Sequence, residues 1–254
     1  EAIVQPALWL LTRSSNCRIF QDKTAIEIVK EVCAGSAYGG LIALDLKFDT
    51  SCEPRSYCVQ YRETDFNFVC RLLEEEGIYY YFTHEAARHT MVLADSYSAH
   101  APLPDYDALK FRSADARRVD DEAVTLWSPS GQIEPSVFVL NDFDFEKAAA
   151  SNSGGLRVKA KVEAAFSQPT YEQYDYPGNY QTASIGTAFA RGRMEAMHGQ
   201  CEQISARSTA RGLTAGGLFS LTEHPHEDQN REFLITGAEI DIIAQDYTSG
   251  AGHG

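Results

Sequence analysis

Two histidine pairs and one pair of carboxylates have the types and spacing to support chemistry in this chain. The run His84-Glu85-Ala86-Ala87-Arg88-His89 lies close to the helical zinc-protease motif. In that motif histidines at i and i+4 reach one metal and the glutamate beside them acts as a base. Here the spacing is i+5, which on a helix separates the rings by about 140°, and the run follows a strand-like segment. A turn between two strands is the reading this favours. His224-Pro225-His226 is held extended by its proline and would chelate only with outside ligands, so it reads as a loop. Asp142 and Asp144 alternate along a strand-like run with Phe143 and Phe145 opposite them. Same-face carboxylates two apart on a strand lie roughly 6.5–7 Å apart at the backbone, a spacing compatible with glycoside hydrolysis; a solvated strand edge is the simpler account. Tyr171, Tyr174, Tyr176 and Tyr180 offer faces for sugars or bases, and their spacing fits strand packing better. No G-x-S-x-G, S-x-x-K, Walker or G-x-G-x-x-G motif is present. The sequence therefore predicts no enzyme, with no catalytic residue, no cofactor or cofactor-binding residue and no metal ligand.

The elements that carry these groups are clearest at residues 60–82. Thr64 stands where an N-cap belongs, and Asp65 complements the helix dipole. Phe66, Val69, Cys70 and Leu73 follow at i, i+3, i+4 and i+7, with Phe68 and Leu72 widening the stripe. Gly77 is the left-handed stop, and the five residues from Ile78 to Phe82 form an aromatic strand. Glu74, Glu75 and Glu76 crowd the negative end of that helix, which is unfavourable without cations nearby. Earlier in the chain, residues 3–13 read as a strand. Thr24 and Glu27 form a capping box for a helix whose apolar stripe is Ala25, Ile28, Val29 and Val32, with Gly35 past its end. Strands are predicted at 41–48 and 55–60, with 90–95 the hairpin partner of the aromatic strand. Residues 17–100 thus read as a compact α+β unit. Further strands are predicted at 122–127, 137–145, 157–163, 201–207, 217–222 and 232–243, and a helix at 183–198. Residues 146–155 have linker composition, and 247–254 a Gly/Ser-rich end.

Composition bounds the function classes. The 254 residues are 44% hydrophobic and 23% charged, globular values that disfavour wholesale disorder. A net charge of −14 argues against nucleic acid and acidic membrane surfaces as partners. No apolar run has the length of a membrane span. Cys17, Cys33, Cys52, Cys58, Cys70 and Cys201 show neither C-x-x-C nor tight metal spacing and are expected to be free thiols in a reducing compartment. The chain does not begin with Met and reads as a fragment.

Block after block, the sequence resembles the VgrG family, the spike proteins of bacterial type VI secretion systems, related to contractile phage tail hubs. The resemblance lies in residues 60–82, in Pro6-Ala7-Leu8-Trp9-Leu10-Leu11 and in Arg18-Ile19-Phe20-Gln21-Asp22-Lys23. It continues in Val139-Leu140-Asn141-Asp142-Phe143-Asp144-Phe145, where Asn141 and Phe143 depart from the family pattern. Tyr174-Asp175-Tyr176-Pro177-Gly178-Asn179-Tyr180 and the closing block from Leu213 to Leu234 complete it. The fold it implies is a β-rich α+β architecture, phage tail hub-like, with two small β-barrel tube domains and a peripheral α+β domain inserted into the first. Residues 1–16 and 101–147 would form the first barrel, lacking its N-terminal part, 17–100 the insert and 148–246 the second barrel. Residues 247–254 would lead toward an absent needle. The implied role is structural: a homotrimeric cap on a hexameric secreted tube. It would also meet baseplate and spike-tip proteins and carry effector proteins, without nucleic acid or stable membrane insertion. Such a spike is assembled in the bacterial cytoplasm and then injected into a target cell. A phage or prophage tail hub is the alternative, to be separated by neighbouring genes, and a carbohydrate-active hydrolase a more distant one. For the acidic run at 74–76, compensation is expected from Arg55 or Arg62, or from a baseplate partner. Arg157, Lys159 and Lys161 could line the tube or simply be solvated.

Overall fold

The computed structural model describes residues 3–35, 38, 40–49, 51–113, 122–144, 155–162 and 168–242. The linker at 146–154, Phe145, Glu163 and the tail at 247–254 lie outside the described residues. Among the described residues the fold is a β-rich α+β arrangement of short sheets carrying three α-helices.

Strand β1 (Ser15–Phe20) leads to α1 (Ala25–Cys33), β2 (Ala43–Lys47), β3 (Cys58–Thr64), α2 (Asp65–Glu75), β4 (Tyr79–His84) and β5 (His89–Ala94). Both helix starts form as their sequences dictate. The Thr24 hydroxyl accepts from the Glu27 N–H and the Glu27 carboxylate accepts from the Thr24 N–H, while Thr64 accepts from the Asn67 N–H at 3.1 Å. At the end of α2, Ile78 N–H reaches Leu73 O and Gly77 N–H reaches Glu74 O, with Gly77 at φ 72°. This is the paired Schellman closure that needs a residue without a Cβ. The buried face of α2 centres on Phe68, Val69, Leu72 and Leu73, while Phe66 and Cys70 are only half-buried. The face rotates from the predicted stripe because α1 and the N-terminal segment both pack on α2.

That N-terminal segment is where the predicted strand at 3–13 fails. Ala7–Arg13 is a 3-10 helix. Pro6 has a fixed φ and no N–H, and the Trp9 N–H turns back to Pro6 O at 2.9 Å. Leu8 and Leu11, one such turn apart, both enter the core. The antiparallel pair β1–β3 and the sheet β2-β5-β4, parallel between β2 and β5, enclose this first core with α1 and α2.

Downstream come β6 (Ala101–Pro102), β7 (Ala108–Lys110), β8 (Val124–Gly131), β9 (Pro135–Leu140), β10 (Val158–Lys161), β11 (Gln168–Asp175), α3 (Ala183–His198), β12 (Glu202–Ser208), β13 (Gly217–Thr222) and β14 (Glu232–Leu234). In the sheet β10-β9-β11, Phe138, Leu140 and Val158 pack under Ala190 and Met194 of α3. Strand β8 pairs with β12, and β13 pairs with β14, β6 and β7. These ladders join strands from both sides of the expected boundary at 147–148, and among the described residues they form open sheets. Two details depart from expectation. Strand β11 runs parallel to β9, so the tyrosine-rich segment is a strand as its spacing suggests, but Tyr171 and Tyr174 are exposed on it rather than packed. Strand β14 stops at Leu234 rather than 243, since its partner β13 begins at Gly217 after a left-handed turn at Gly216 (φ 89°).

Candidate functional site

The histidines singled out by sequence are used for structure. His84 and His89 face each other across the β4–β5 hairpin, and His89 Nε2 accepts the Ala7 N–H at 2.8 Å. That bond fastens the hairpin to the start of the 3-10 helix, a link between residues 82 positions apart that no local pattern announces. His224 lies in a loop, its backbone exchanging two hydrogen bonds with the Asn230 side chain and its ring edge-on to Phe111 at 4.7 Å. His226 donates its N–H to His224 Nδ1. Among the described residues no group of His, Cys, Asp or Glu has the arrangement to hold a metal ion.

Asp142 and Asp144 do not alternate along a strand, because β9 ends at Leu140. Beyond it Asn141 donates to Asp175 O and its own carbonyl accepts from Gly178, while pairing toward β10 persists only as the Leu156 N–H bond to Asp142 O and an isolated bridge between Phe143 and Gly155. Asp142 accepts the Phe143 N–H through Oδ1 and the Tyr180 N–H through Oδ2, which makes it a turn anchor. Tyr180 is buried, its hydroxyl donating to Leu156 O. A Cβ on Gly178 or Gly186 would fall 2.2 or 2.4 Å from its ring, so the glycines create the slot that holds it. Tyr171, Tyr174 and Tyr176 remain exposed. Arg157 and Lys159 both reach Glu172 on β11, at 3.2 and 3.7 Å. The six cysteines are free thiols. Burial pushes the Cys33 and Cys52 thiols up to about 12, with Asp65 and Glu76 adding repulsion.

What the polar groups build instead is a set of joints. At the base of α2, Asp65 is buried and accepts from Arg18 (2.5 Å), Gln60 (2.8 Å) and Tyr38 (2.5 Å). A buried carboxylate is tolerable because three donors replace its water. The helix's acidic end is offset by Arg55, whose Nη1 and Nη2 bond Glu75 and Glu76 at 2.5 and 2.6 Å. Arg62 does not take part. It is the extra residue of a β-bulge opposite Asn16 and Cys17, at φ 54°, with its guanidinium over the Tyr61 ring.

Two further joints hold the α+β unit to the later sheets. His100 bonds Gly216 O through Nδ1 and the Tyr79 hydroxyl through Nε2, both at 2.8 Å, and its ring lies between Tyr79 and Tyr81. Since a carbonyl only accepts, Nδ1 carries a proton. Gly216 admits the Tyr81 ring, because a Cβ there would meet Cδ2 at 2.3 Å. Tyr97 donates to Glu232 on β14 at 2.8 Å; burial and that carboxylate push its hydroxyl up to about 12. On the other side, Gly77 and Gly192 of α3 touch backbone to backbone, a Cβ on Gly192 falling 3.6 Å from Gly77 Cα. The polar and aromatic groups thus cross-tie separate elements of the fold.

Residues 1–246 match the family described as Phage tail baseplate hub (GPD). The chain is 38% identical over 252 residues to the type VI secretion system spike protein VgrG1b of Pseudomonas aeruginosa, covering 99% of this chain and 33% of that protein. It is 38% identical over 255 residues to VgrG1a of the same organism, covering 99% of this chain and 38% of that one. It thus spans between 33% and 38% of the length of these curated relatives. Among solved structures, it resembles an E. coli protein described as a component of the type VI secretion system with structural similarity to T4 bacteriophage tail proteins gp27 and gp5. The TM-score is 0.59 at 20% identity, covering 91% of this chain and 48% of that one, a likeness of fold.

Proposed function

The chain belongs to the phage tail baseplate hub family, and from that premise we propose that it is the hub part of a type VI secretion spike, a structural component of a contractile injection machine. The observation that carries the reading is the match over 1–246 together with 38% identity to named spike proteins along nearly the whole chain. The joints support it, since buried carboxylates and histidines serve cross-ties rather than a reaction centre. Asp142, which accepts two backbone N–H groups, supports a structural role for that carboxylate over the hydrolase alternative.

In the finer reading, residues 1–16 with 101–147 and residues 148–246 form two tube domains, and 17–100 the peripheral unit. The ladders β8–β12 and β7–β13 support a continuous wall shared between the tube domains. Three chains would place six such domains around an axis, a ring suited to a hexameric tube. The partners would be two further copies, the tube protein, baseplate and spike-tip proteins, and effectors. Assembly would take place in the bacterial cytoplasm, followed by injection. No described helix is long and apolar enough to cross a membrane.

Electron cryo-microscopy of the full-length protein mixed with the tube protein tests this. Threefold particles seated on tube ends are expected. A stable monomer by light scattering that never caps a tube would overturn the proposal.

A further inference from the structure

A cleft of about 780 Å3 opens between the C-terminal end of α2 and α3. Cys70, Leu73, Ile78, Tyr80 and Ala196 give it an apolar lining, and the Gly77–Gly192 contact sits within it. Ala196 lies on the exposed face of α3, so the cleft opens to solvent.

The charge around it is one-sided. Glu74, Glu75, Asp95 and Glu195 line it, against Arg71 and Arg193. The pairing runs both ways: Arg71 is held by Glu63 and Glu75 and Arg193 by Asp175 outside the cleft, while Glu75 is also held by Arg55 and Glu195 by Arg191, so the rim's negative character rests mainly on Glu74. Glu74 is exposed and has no ion pair among the described residues. The closing turn of α2 adds the negative end of its dipole to the same rim. Apolar walls under a net negative rim are complementary to a surface that is both apolar and cationic.

We propose that this cleft docks a partner protein segment presenting a large apolar side chain flanked by lysine or arginine. Such docking rests on the cleft's shape and charge alone, whatever machine the hub serves. A nucleic acid, or a second copy of this chain at net charge −14, presents predominantly like charge to the rim. A helix laid along α3 with Leu and Lys on one face fits the opening, by the groove mode of recognition.

The test uses the 254-residue chain and two fluorescein-labelled amphipathic peptides of equal length, one of Leu and Lys and one of Leu and Glu, followed by anisotropy at low and physiological salt. The Leu/Lys peptide is expected to bind and the Leu/Glu peptide not to. Glu74→Lys should weaken binding by about tenfold, because it turns an attractive rim charge into a repulsive one. Ala196→Trp, which fills the cleft from a solvent-facing helix position, should weaken it similarly. Glu227→Lys, an exposed carboxylate outside the lining, should change it less than about twofold, because an unlocalised charge acts weakly. Equal weakening by Glu227→Lys and Glu74→Lys would mean general attraction to an acidic protein and overturn the proposal. So would undiminished binding to Ala196→Trp, or no binding of the Leu/Lys peptide. Should Ala196→Trp lose its helical circular dichroism, Glu195→Lys repeats the comparison at an exposed position of α3.

Discussion

Arg55→Met isolates what holds the acidic end of α2. The Arg55 side chain is 22% exposed and Glu76 only 8%, whereas Glu75 is 39% exposed and also held by Arg71. Methionine keeps much of the apolar stem and removes the cation, so Glu76 remains as a carboxylate with little water. Removing one partner of a buried pair costs roughly 3–5 kcal/mol; partial solvent access to Arg55 screens this to about 2 kcal/mol. Glu76→Gln keeps an acceptor and leaves Arg55 its bond to Glu75, so it should cost about 1 kcal/mol. The double variant should lose less than the two singles together, with a coupling of about 1 kcal/mol. Urea unfolding at constant slope measures all three, and 2 kcal/mol moves the midpoint by about 1 M at a typical slope. An Arg55→Met variant within about 0.5 kcal/mol of the parent, or a coupling of zero, would refute the ion-pair account, because that is the range of ordinary surface substitutions. Glu74→Gln, with no ion pair to lose, should be neutral or slightly stabilising by relief at the dipole's negative end.

Other expectations follow from single contacts. Thr64→Ala removes the α2 cap and should cost about 1 kcal/mol in the same unfolding assay. Gly216→Ala forces a Cβ into the Tyr81 ring at a left-handed backbone position and should lower the melting temperature more than a surface Ala substitution does. The Arg112 and Lys110 bonds lower the Glu223 carboxyl to about 2 from 4.5. Its contribution to stability is therefore present above pH 4.5 and lost as pH falls toward about 2; carbon-detected NMR titration should show that midpoint, rising in Arg112→Gln. Alkylation at pH 8 should modify exposed Cys17 first, with Cys33 and Cys52 protected because burial holds their thiols up near 12.

Much of the local structure was determined by the sequence itself. Thr24, Glu27 and Thr64 set helix starts, Gly77 set a stop, and the bounds of α3 and β13 emerged where predicted, because caps and periodicity act within a few residues. The sequence blocks that resemble the family carried its identity as well, and the slot that Gly178 and Gly186 make for Tyr180 gives one block a physical reason. Tertiary structure decided the rest. It chose Arg55 over Arg62 for the acidic end of α2, since a bulge aims Arg62 at Tyr61. It turned residues 7–13 into a 3-10 helix, set the strand at 168–175 parallel to β9 and made His89, His100 and Asp65 into cross-ties. Most of the groups that meet in the fold's cross-ties lie far apart along the chain, up to the 135 positions that separate Tyr97 from Glu232. A pattern read over one or two turns holds no information about such a meeting; only packing, which brings the sheets and helices together, brings these donors to their acceptors.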